Sequence, residues 1–451
     1  MAPGTTALLR RFPVLLALAA PAACDPGGGA GSDPGAPPGK ADDPGSGSGA
    51  GSGAAPDAAP DPDELADPCA THPWPGDRGC ADALGRAGVL GPAVEPQLER
   101  SVDYVPLADD PLYYWLAEHL RVDRHGRLFA LVSTSRDRDS VMVYDGETGE
   151  ATGISGEARI ALGTDDTLYT CLSTETGGSA VRAYDVTPPL TAPLEPLWEA
   201  AIGPAGNYGP CSQLEVLPGG LVIAVLQATM TAIEPDGSIR FQASPGLAVR
   251  TLAAVPGGPI VVDAVVSSGP ITRALVAIDR ESGAVAWSAP LGEQYHADQG
   301  LLGALESGAL AFRPSGAGSE VFHQAGAGAS SWTIAHDDAN LLAAGTPDRI
   351  FVSGARRHAW LDPVAPALEG ITDTGWSGGR PLRVISDQRG HVYLLADRGG
   401  GQSRHTLYAY DAAGALLWQR WVGNAPDFAL GPDGWLFVSW RGGLAGYHGA
   451  P

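Results

Sequence analysis

Short apolar segments recur along residues 120–451, and each one follows a turn that carries Gly or Asp. The apolar residue two positions after the turn marks each copy: Leu128, Leu168, Val222, Ile260, Leu310, Ile350, Val392 and Leu436. From Leu128 to Leu436 the copies are about 44 residues apart on average, which is about the length of a four-stranded propeller blade. The pattern therefore predicts an all-β chain that folds as a β-propeller of about eight four-stranded blades.

The second half of a copy has a strand, a tight turn and another strand. Two copies show it most clearly: residues 275–287 read LVAIDRESGAVAW and residues 407–418 read LYAYDAAGALLW. Asp and Gly supply the turn, since glycine tolerates a positive φ. We expect the closing residues, Trp287 and Trp418, to fill the wedge between neighbouring blades.

These two segments also carry a family resemblance. Their pattern of an apolar strand, Asp, Gly and a closing Trp resembles the repeat of pyrroloquinoline-quinone-type (PQQ-like) propellers over residues 120–451. Combined with a lipoprotein-type N-terminus, the architecture is similar to that of BamB-type outer-membrane assembly factors. In quinone-dependent enzymes of this fold, the resemblance implies a cofactor with Ca²⁺, an aspartate base and adjacent cysteines. No Cys-Cys pair occurs here, and we expect no cofactor and no metal.

The two ends of the chain are expected to close the ring together. The chain ends at Tyr447-His448, two strands into the eighth copy, and a propeller must close because open sheet edges invite aggregation. Residues 101–106 and 112–116 are candidates for the missing strands. We therefore predict eight blades closed by N- and C-terminal strands. Seven blades is the alternative, because the copies in residues 304–380 are irregular.

The N-terminus is typical of an export signal. Arg10 and Arg11 precede about 12 apolar residues that end at Cys24, which is too short for a bilayer span of about 20 residues. The small residues before Cys24 resemble a bacterial lipobox, which implies a signal peptide over residues 1–23 and lipidation of Cys24. An ordinary signal cut near Ala23 is the alternative.

The rest of the chain divides by composition into three parts. Residues 24–64 are almost entirely Gly, Ser, Ala, Pro and Asp, so we expect a disordered tether, since such a segment buries little apolar surface. We expect a small disulfide-bearing cap segment over residues 65–97 and the propeller over residues 98–451. The predicted location is the cell envelope, on its periplasmic or its cell-surface face.

Charge narrows the possible partners. The formal net charge is −23, from 28 Lys and Arg against 51 Asp and Glu. This excess disfavours nucleic acid, because the phosphate backbone requires clustered positive charge. We expect a monomeric propeller that contacts the membrane through its lipid anchor and has an envelope protein as partner.

Five cysteines occur, and setting Cys24 aside leaves an even number. In an exported chain, four cysteines suggest two disulfides. We favour Cys69–Cys80, which would close a short Pro- and Gly-rich loop, and Cys171–Cys211, with the other pairings open. A zinc site is disfavoured because none of these cysteines forms a Cys-x-x-Cys pair.

Candidate chemistry is sparse. His296 and Asp298 lie in a connector between blades, and connectors converge on the propeller faces where ligands bind, so these two residues are the candidate ligand-face pair. An ordinary loop histidine is the alternative. No zinc-type His pair and no Gly-x-Ser-x-Gly elbow occurs. We predict no catalytic residues and expect a protein that is not an enzyme.

Three functions fit these observations. The favoured one is a non-enzymatic envelope lipoprotein whose propeller acts as a protein-interaction scaffold. The alternative is a lipoprotein that senses a small ligand or a glycan at the propeller mouth. A third and weaker alternative is a quinoprotein-type or polysaccharide-active enzyme, because propellers host all three kinds of function.

Lipidation of Cys24 can be tested by metabolic labelling. The wild-type chain is expected to incorporate radiolabelled palmitate, and Cys24→Ala is expected to lose the label because the acceptor thiol is gone. Equal labelling of both proteins would contradict the lipoprotein prediction.

Overall fold

A computed structural model of the chain describes residues 72, 76, 80, 83–103, 116–133, 140–144, 151–155, 157–174, 177–190, 194–203, 211–293, 301–315, 318–327, 331–336, 342–346, 348–376, 379–399, 405–425, 427–440 and 443–451. Every described residue belongs to the compact unit of residues 58–451. The predicted signal peptide and tether lie outside the described residues. Within the described part, no helix is long and apolar enough to cross a membrane.

The described residues form thirty-two β-strands, which pair as eight antiparallel sheets of four. The N-terminal strand is β1 (Gln97–Asp103). Blades 1 to 4 follow, with strands β2 (Leu116–Val122), β3 (Leu128–Ser133), β4 (Ser140–Tyr144), β5 (Ala151–Ser155), β6 (Glu157–Leu162), β7 (Thr167–Ser173), β8 (Ser179–Asp185), β9 (Pro196–Gly203), β10 (Gln213–Val216), β11 (Val222–Leu226), β12 (Thr229–Ile233), β13 (Ile239–Ala243), β14 (Ala248–Ala254), β15 (Ile260–Ser268), β16 (Ile271–Ile278) and β17 (Val285–Glu293).

Blades 5 to 8 continue around the ring. Their strands are β18 (Leu301–Leu305), β19 (Gly308–Ser315), β20 (Gly318–Gln324), β21 (Ser331–His336), β22 (Leu342–Thr346), β23 (Arg349–Ser353), β24 (Arg357–Asp362), β25 (Ala367–Asp373), β26 (Arg380–Ser386), β27 (Val392–Asp397), β28 (His405–Tyr410), β29 (Leu416–Gly423), β30 (Phe428–Leu430), β31 (Trp435–Trp440) and β32 (Gly443–His448). A 3₁₀ turn (Pro432–Gly434) joins β30 to β31.

The first strands of the eight blades together surround the central axis. Strand β2 contacts β6 and β30, β6 contacts β10, β14 contacts β18, and β22 contacts β18 and β26. Because each sheet is an antiparallel meander, the turns after first and third strands share one end of the blades. We call that end the turn face, and the end with the connectors between blades the connector face.

Blade 8 closes the ring with strands from both ends of the chain. Its order is β1-β32-β31-β30, with β1 outermost and antiparallel to β32. Eight blades with shared closure are therefore confirmed. The details differ from the prediction, because the C-terminus supplies three strands rather than two. Leu116 begins the first strand of blade 1 and takes no part in closure.

The eight apolar positions that marked the repeat all lie on second strands. Each of these side chains is at most 3% exposed, because a second strand is covered by a strand on each side and by the neighbouring blades. The sequence repeat therefore begins one strand later than the structural blade. Cys171 likewise lies on a second strand, that of blade 2.

Aromatic residues of one blade pack against glycine turns of the next blade. The Cβ of any other residue at Gly283 would lie 2.5 Å from the Phe241 ring, and at Gly414 it would lie 2.5 Å from the Trp360 ring. Both glycines also have a positive φ, so turn geometry and close approach each require glycine. Trp287 packs against the core between blades 4 and 5, as the wedge interpretation expects.

Part of the predicted cap segment crosses the turn face before it becomes β1. The N–H of Ser386 donates to the Gly85 carbonyl at 2.7 Å, and the N–H of Ala87 donates to the Ser386 carbonyl at 2.8 Å. Leu84 is 1% exposed and packs into the core of blades 5 and 6. The Trp418 indole donates to the Pro92 carbonyl at 2.9 Å. Residues 83–92 are thus pinned to several blades at once.

Upstream, His72 is buried on the same face. Its Nε2 lies 2.5 Å from the Gly163 carbonyl, and its Nδ1 accepts the Arg124 N–H at 3.1 Å. Burial lowers the pKa of His72 below its ordinary value, so the ring is neutral and Nε2 carries the proton that Gly163 accepts. His72 therefore connects the turns of blades 1 and 2.

The predicted disulfide Cys171–Cys211 is confirmed. Cys171 is on β7 and Cys211 lies two residues before β10, so the bond joins blade 2 to blade 3. Cys80 is also a disulfide cysteine, and its partner lies outside the described residues. The pairing Cys69–Cys80 therefore stays a prediction.

We expect the double variant Cys171→Ala/Cys211→Ala to lower the free energy of unfolding by about 3 kcal/mol, because the bond closes a loop of 40 residues in the unfolded chain. Chemical denaturation of oxidised wild type and variant measures the difference. Peptide mapping without reductant is the control. Free thiols at both positions in the wild type would contradict the assignment.

Candidate functional site

Positive charge is concentrated on the strands that surround the axis. Among the described side chains of the eight first strands, one is acidic, Glu215, and five are arginines: Arg121, Arg159, Arg250, Arg380 and Arg383. The chain as a whole has 51 acidic residues against 28 basic ones. The sequence of these strands also includes Glu118 and Glu157, so arginines still outnumber carboxylates there, in contrast to the chain as a whole. Such an excess favours negatively charged ligands.

β-Bulges interrupt several first strands near their connector-face ends. The register slips between Glu118 and Arg121 in β2, between Val249 and Thr251 in β14, and between Pro381 and Arg383 in β26. A bulge adds one residue to a strand and redirects its side chain, and bulges are common beside functional sites.

Asp427 connects three blades near the axis. Its carboxylate, 4% exposed, accepts a 2.5 Å contact from the Arg383 guanidinium of blade 7. Its other oxygen accepts the Leu120 N–H of blade 1 at 3.0 Å. Asp427 itself directly precedes β30 of blade 8. A single buried carboxylate thus links blades 7, 8 and 1.

Arg159 makes the corresponding link among blades 1, 2 and 3. Its Nη1 lies 2.6 Å from Nε2 of His119 in blade 1, and its Nε donates to the Ser212 carbonyl of blade 3 at 2.9 Å. The Gln213 amide then donates to the carbonyl of Arg250 in blade 4. Side chains on the axis therefore bridge the blade junctions from blade 7 round to blade 4. We call these residues the axial belt: His119, Arg121, Arg159, Gln213, Arg250, Arg383 and Asp427.

A second candidate site is apolar and lies on the outside of the ring. The outermost strands carry most of the strongly exposed apolar side chains of the described residues. They are densest where blades 7 and 8 meet, and we call this group the rim patch: Val94, Leu98, Leu416, Leu417 and Trp421. Trp421 is 69% exposed, and Leu98 and Leu416 are each more than half exposed.

Arg420 joins the two halves of the rim patch. Its Nη1 donates to the Pro96 carbonyl at 2.6 Å and lies 3.2 Å from the Glu95 carboxylate. Its guanidinium stacks over the Tyr447 ring at 4.7 Å. Residues 94–98 are thereby held beside β29. Arg420 lies on the face of β29 toward blade 8, whereas Leu416 and Trp421 pair with Tyr410 and Thr406 on the face toward blade 6.

A third feature is a groove on the turn face between blades 3 and 4. It encloses about 470 Å³, and the side chains that line it include Pro218, Arg240, Asp279, Arg280, Glu281 and Trp287. Arg240 is paired with Glu234 at 2.5 Å and with Glu281 at 3.2 Å. The groove has the size of a small-ligand site, but its charged groups are already paired.

Cys24, Cys69, His296 and Asp298 are outside the described residues, so the candidate ligand-face pair and the lipidation site stay predictions. In the described part of the chain, no group of three or more His, Cys, Asp or Glu side chains could hold a metal ion.

Sequence reasoning missed the axial belt. A signal was present: Arg159 lies nine residues before the marker Leu168, and Arg383 lies nine before Val392. The repeat frame began at the second strand, so these positions were counted as the ends of connectors. Only the strand order shows that they belong to first strands around the axis.

No family model and no curated protein matches this chain. Among solved structures, it is similar to a protein of unknown function from Bacteroides caccae, with 14% identity, a TM-score of 0.34, and coverage of 56% of this chain and 93% of that one. It is also similar to the propeller domain of the Trilobed protease from Pyrococcus furiosus, with 10% identity, a TM-score of 0.41, and coverage of 74% of this chain and 93% of that one. An acylaminoacyl peptidase is similar with 11% identity, a TM-score of 0.44, and coverage of 75% of this chain and 52% of that one. The β-propeller fold is shown by the strand pairing itself.

We expect Asp427→Ala to lower the free energy of unfolding by about 3 kcal/mol, because the buried Leu120 N–H loses its acceptor and the Arg383 guanidinium loses its ion pair with Asp427. Asp373→Ala is the matched control. Asp373 also pairs with an arginine, Arg357, but is 81% exposed, so its loss should cost less than about 0.5 kcal/mol. Chemical denaturation measures both, and equal losses would contradict the bridging role.

Proposed function

We propose that this chain is a non-catalytic lipoprotein of the cell envelope whose propeller is a protein-interaction scaffold. The rim patch is the observation that carries the proposal. Trp421 is 69% exposed on β29, which also carries the exposed Leu416 and Leu417, and an exposed Trp near aliphatic side chains is a common centre of a protein interface.

The position of the rim patch favours a partner with an extended segment. Leu416, Leu417 and Trp421 lie on β29, the fourth strand of blade 7, which pairs only with β28. Its other edge has unpaired N–H and C=O groups, and such an edge accepts an additional strand. An envelope protein that presents an apolar strand would satisfy both the edge and the side chains.

The cap supports this arrangement. Residues 83–92 are fastened across the turn face, and His72 is buried there as well. His72, the described residue nearest to Cys24 in the sequence, therefore lies on the turn face. With a Gly-rich tether of about 40 residues, whose reach is roughly 35 Å, the lipid anchor would hold the domain close to a membrane and leave its rim accessible.

Ligand sensing is the second candidate, and the groove between blades 3 and 4 favours it. The half-buried indole of Trp287 lines this groove beside Asp279 and Glu281, and an aromatic surface with polar neighbours suits a sugar ring. Glycan-array binding that is lost in Trp287→Ala and retained in Trp421→Ala would favour this function over the scaffold.

The scaffold proposal is tested by site-specific photo-crosslinking in the native envelope. A photoreactive phenylalanine analogue at position 421 is expected to capture a discrete envelope protein, identified by mass spectrometry. The same analogue at position 285 is the control, because Val285 is also an exposed apolar residue on an outermost strand, in blade 4. Equal capture at both positions, or none at position 421, would contradict the proposal.

A further inference from the structure

A histidine is buried at the junction of blades 6 and 7. His358 lies on β24, the third strand of blade 6, and is 7% exposed. Its ring centroid is 5.3 Å from that of Phe351 on the neighbouring strand β23, and 5.1 Å from that of Tyr410 on β28 of blade 7. The imidazole therefore fills the space between two blades, beside the aromatic core that they share.

The groups that face this ring from blade 7 are apolar side chains and two phenols. The buried side chains of blade 7 in this junction are Val384, Val392, Leu394, Ala396, Tyr408 and Tyr410. The connector between the blades adds the indole of Trp376, which packs on Tyr408. Burial raises the pKa of the Tyr410 phenol. In the described part of the chain, Nδ1 of His358 makes no hydrogen bond, nor does the hydroxyl of Ser353 opposite it on β23.

The charged groups near His358 in its own blade are engaged elsewhere or exposed. Those on β23, β24 and β25 and in their hairpins are Arg349, Arg356, Arg357, Asp362, Glu369 and Asp373. Arg349 stacks over the Trp360 ring, and Asp362 accepts N–H groups of its own turn. The other four are exposed. Burial accordingly lowers the pKa of His358 to about 4.

We propose that His358 is an acid-sensitive switch between blades 6 and 7, in which protonation of the imidazole opens its contact with Tyr410. A buried charge without a partner is costly, so the protonated ring is stabilised by reaching water. The neutral ring favours the closed junction above about pH 6.5, the ordinary pKa of histidine. That stabilisation is lost as the pH falls from about 6.5 to about 4, the pKa in the closed junction.

Tyr410 connects this junction to the edge strand of blade 7. It lies opposite Leu416 of β29, and Leu416 and Trp421 lie on the face of blade 7 toward blade 6, as Tyr410 does. Movement of Tyr410 therefore shifts the exposed strand on which the scaffold proposal rests. The switch itself requires only the folded propeller, so it holds or fails independently of that proposal.

The test is hydrogen–deuterium exchange of the full chain at about pH 8 and about pH 5, read by mass spectrometry and corrected for the pH dependence of intrinsic exchange. The opening equilibrium of peptides from β24 and β28 is expected to rise roughly 30-fold at the lower pH, because the pKa differs between about 6.5 open and about 4 closed. Peptides from β16 in blade 4 are the internal reference. An equal rise in β16 would mean that the whole propeller opens, and would overturn the proposal.

His358→Phe keeps an aromatic ring that cannot take up a proton, so the acid-dependent opening should disappear. His323→Phe is the matched control, because His323 is also buried and stacks on an indole, that of Trp332, but in blade 5. The response at the junction of blades 6 and 7 should remain in this control. A full acid response in His358→Phe would rule out the switch.

Deuterium exchange at the imidazole C2 carbon of wild-type His358 measures its pKa directly, whether or not a variant folds. A midpoint near about pH 4 is expected, and a midpoint near about 6.5 would contradict the proposal. Neither result changes the crosslinking expected at position 421 at neutral pH, which tests the scaffold proposal separately.

Discussion

The antiparallel pairing of β1 with β32 closes the ring, and the other features of the molecule depend on that closure. Gln97 lies opposite His448 and Asp103 lies opposite Gly443, so an N-terminal strand completes a C-terminal blade. Each blade buries its two faces only against its neighbours. An open ring would therefore expose the faces on both sides of the gap to water, at a large hydrophobic cost.

Closure also explains the position of the cap. Residues 83–96 lead directly into β1, so the segment that supplies the closing strand must cross the turn face to reach it. It contributes Leu84 to one inter-blade core and Ala87 to another. The hydrogen bonds of Gly85 and Ala87 with Ser386 then fasten the cap to blade 7, and the Pro92 carbonyl accepts the Trp418 indole.

The axis and the rim of the ring have opposite surface chemistry. The inner strands carry five arginines, and Asp427 directly precedes one of these strands. Backbone carbonyls of neighbouring blades accept N–H groups of Arg121 and Arg159. Such groups are tolerated near the axis because most of them are paired across blade junctions. The rim instead exposes Trp421 and aliphatic side chains on an unpaired edge. The axis and the rim of the described part of the molecule therefore differ in chemistry.

The sequence alone determined the parts of this protein that depend on local pattern. The eight markers from Leu128 to Leu436 predicted eight blades because a buried second strand needs apolar residues whatever surrounds it. Gly283 and Gly414 were predictable as turn residues because a positive φ is a local requirement. The pairing of Cys171 with Cys211 followed from their positions near the junction of two successive copies.

Only the tertiary structure decided which strand of each copy faces the axis and which faces solvent. The periodicity of apolar residues is the same whether a copy is taken to begin at the first or at the second strand of a blade. Arg159 and Arg383 could therefore not be assigned to the axis from sequence. The bulge that brings Arg250 beside Thr251 leaves no mark in the sequence, because it arises from the register between two strands. The contacts of Asp427 with Arg383 and Leu120 span up to 307 residues, and they form only because closure of the ring brings blades 8 and 1 together.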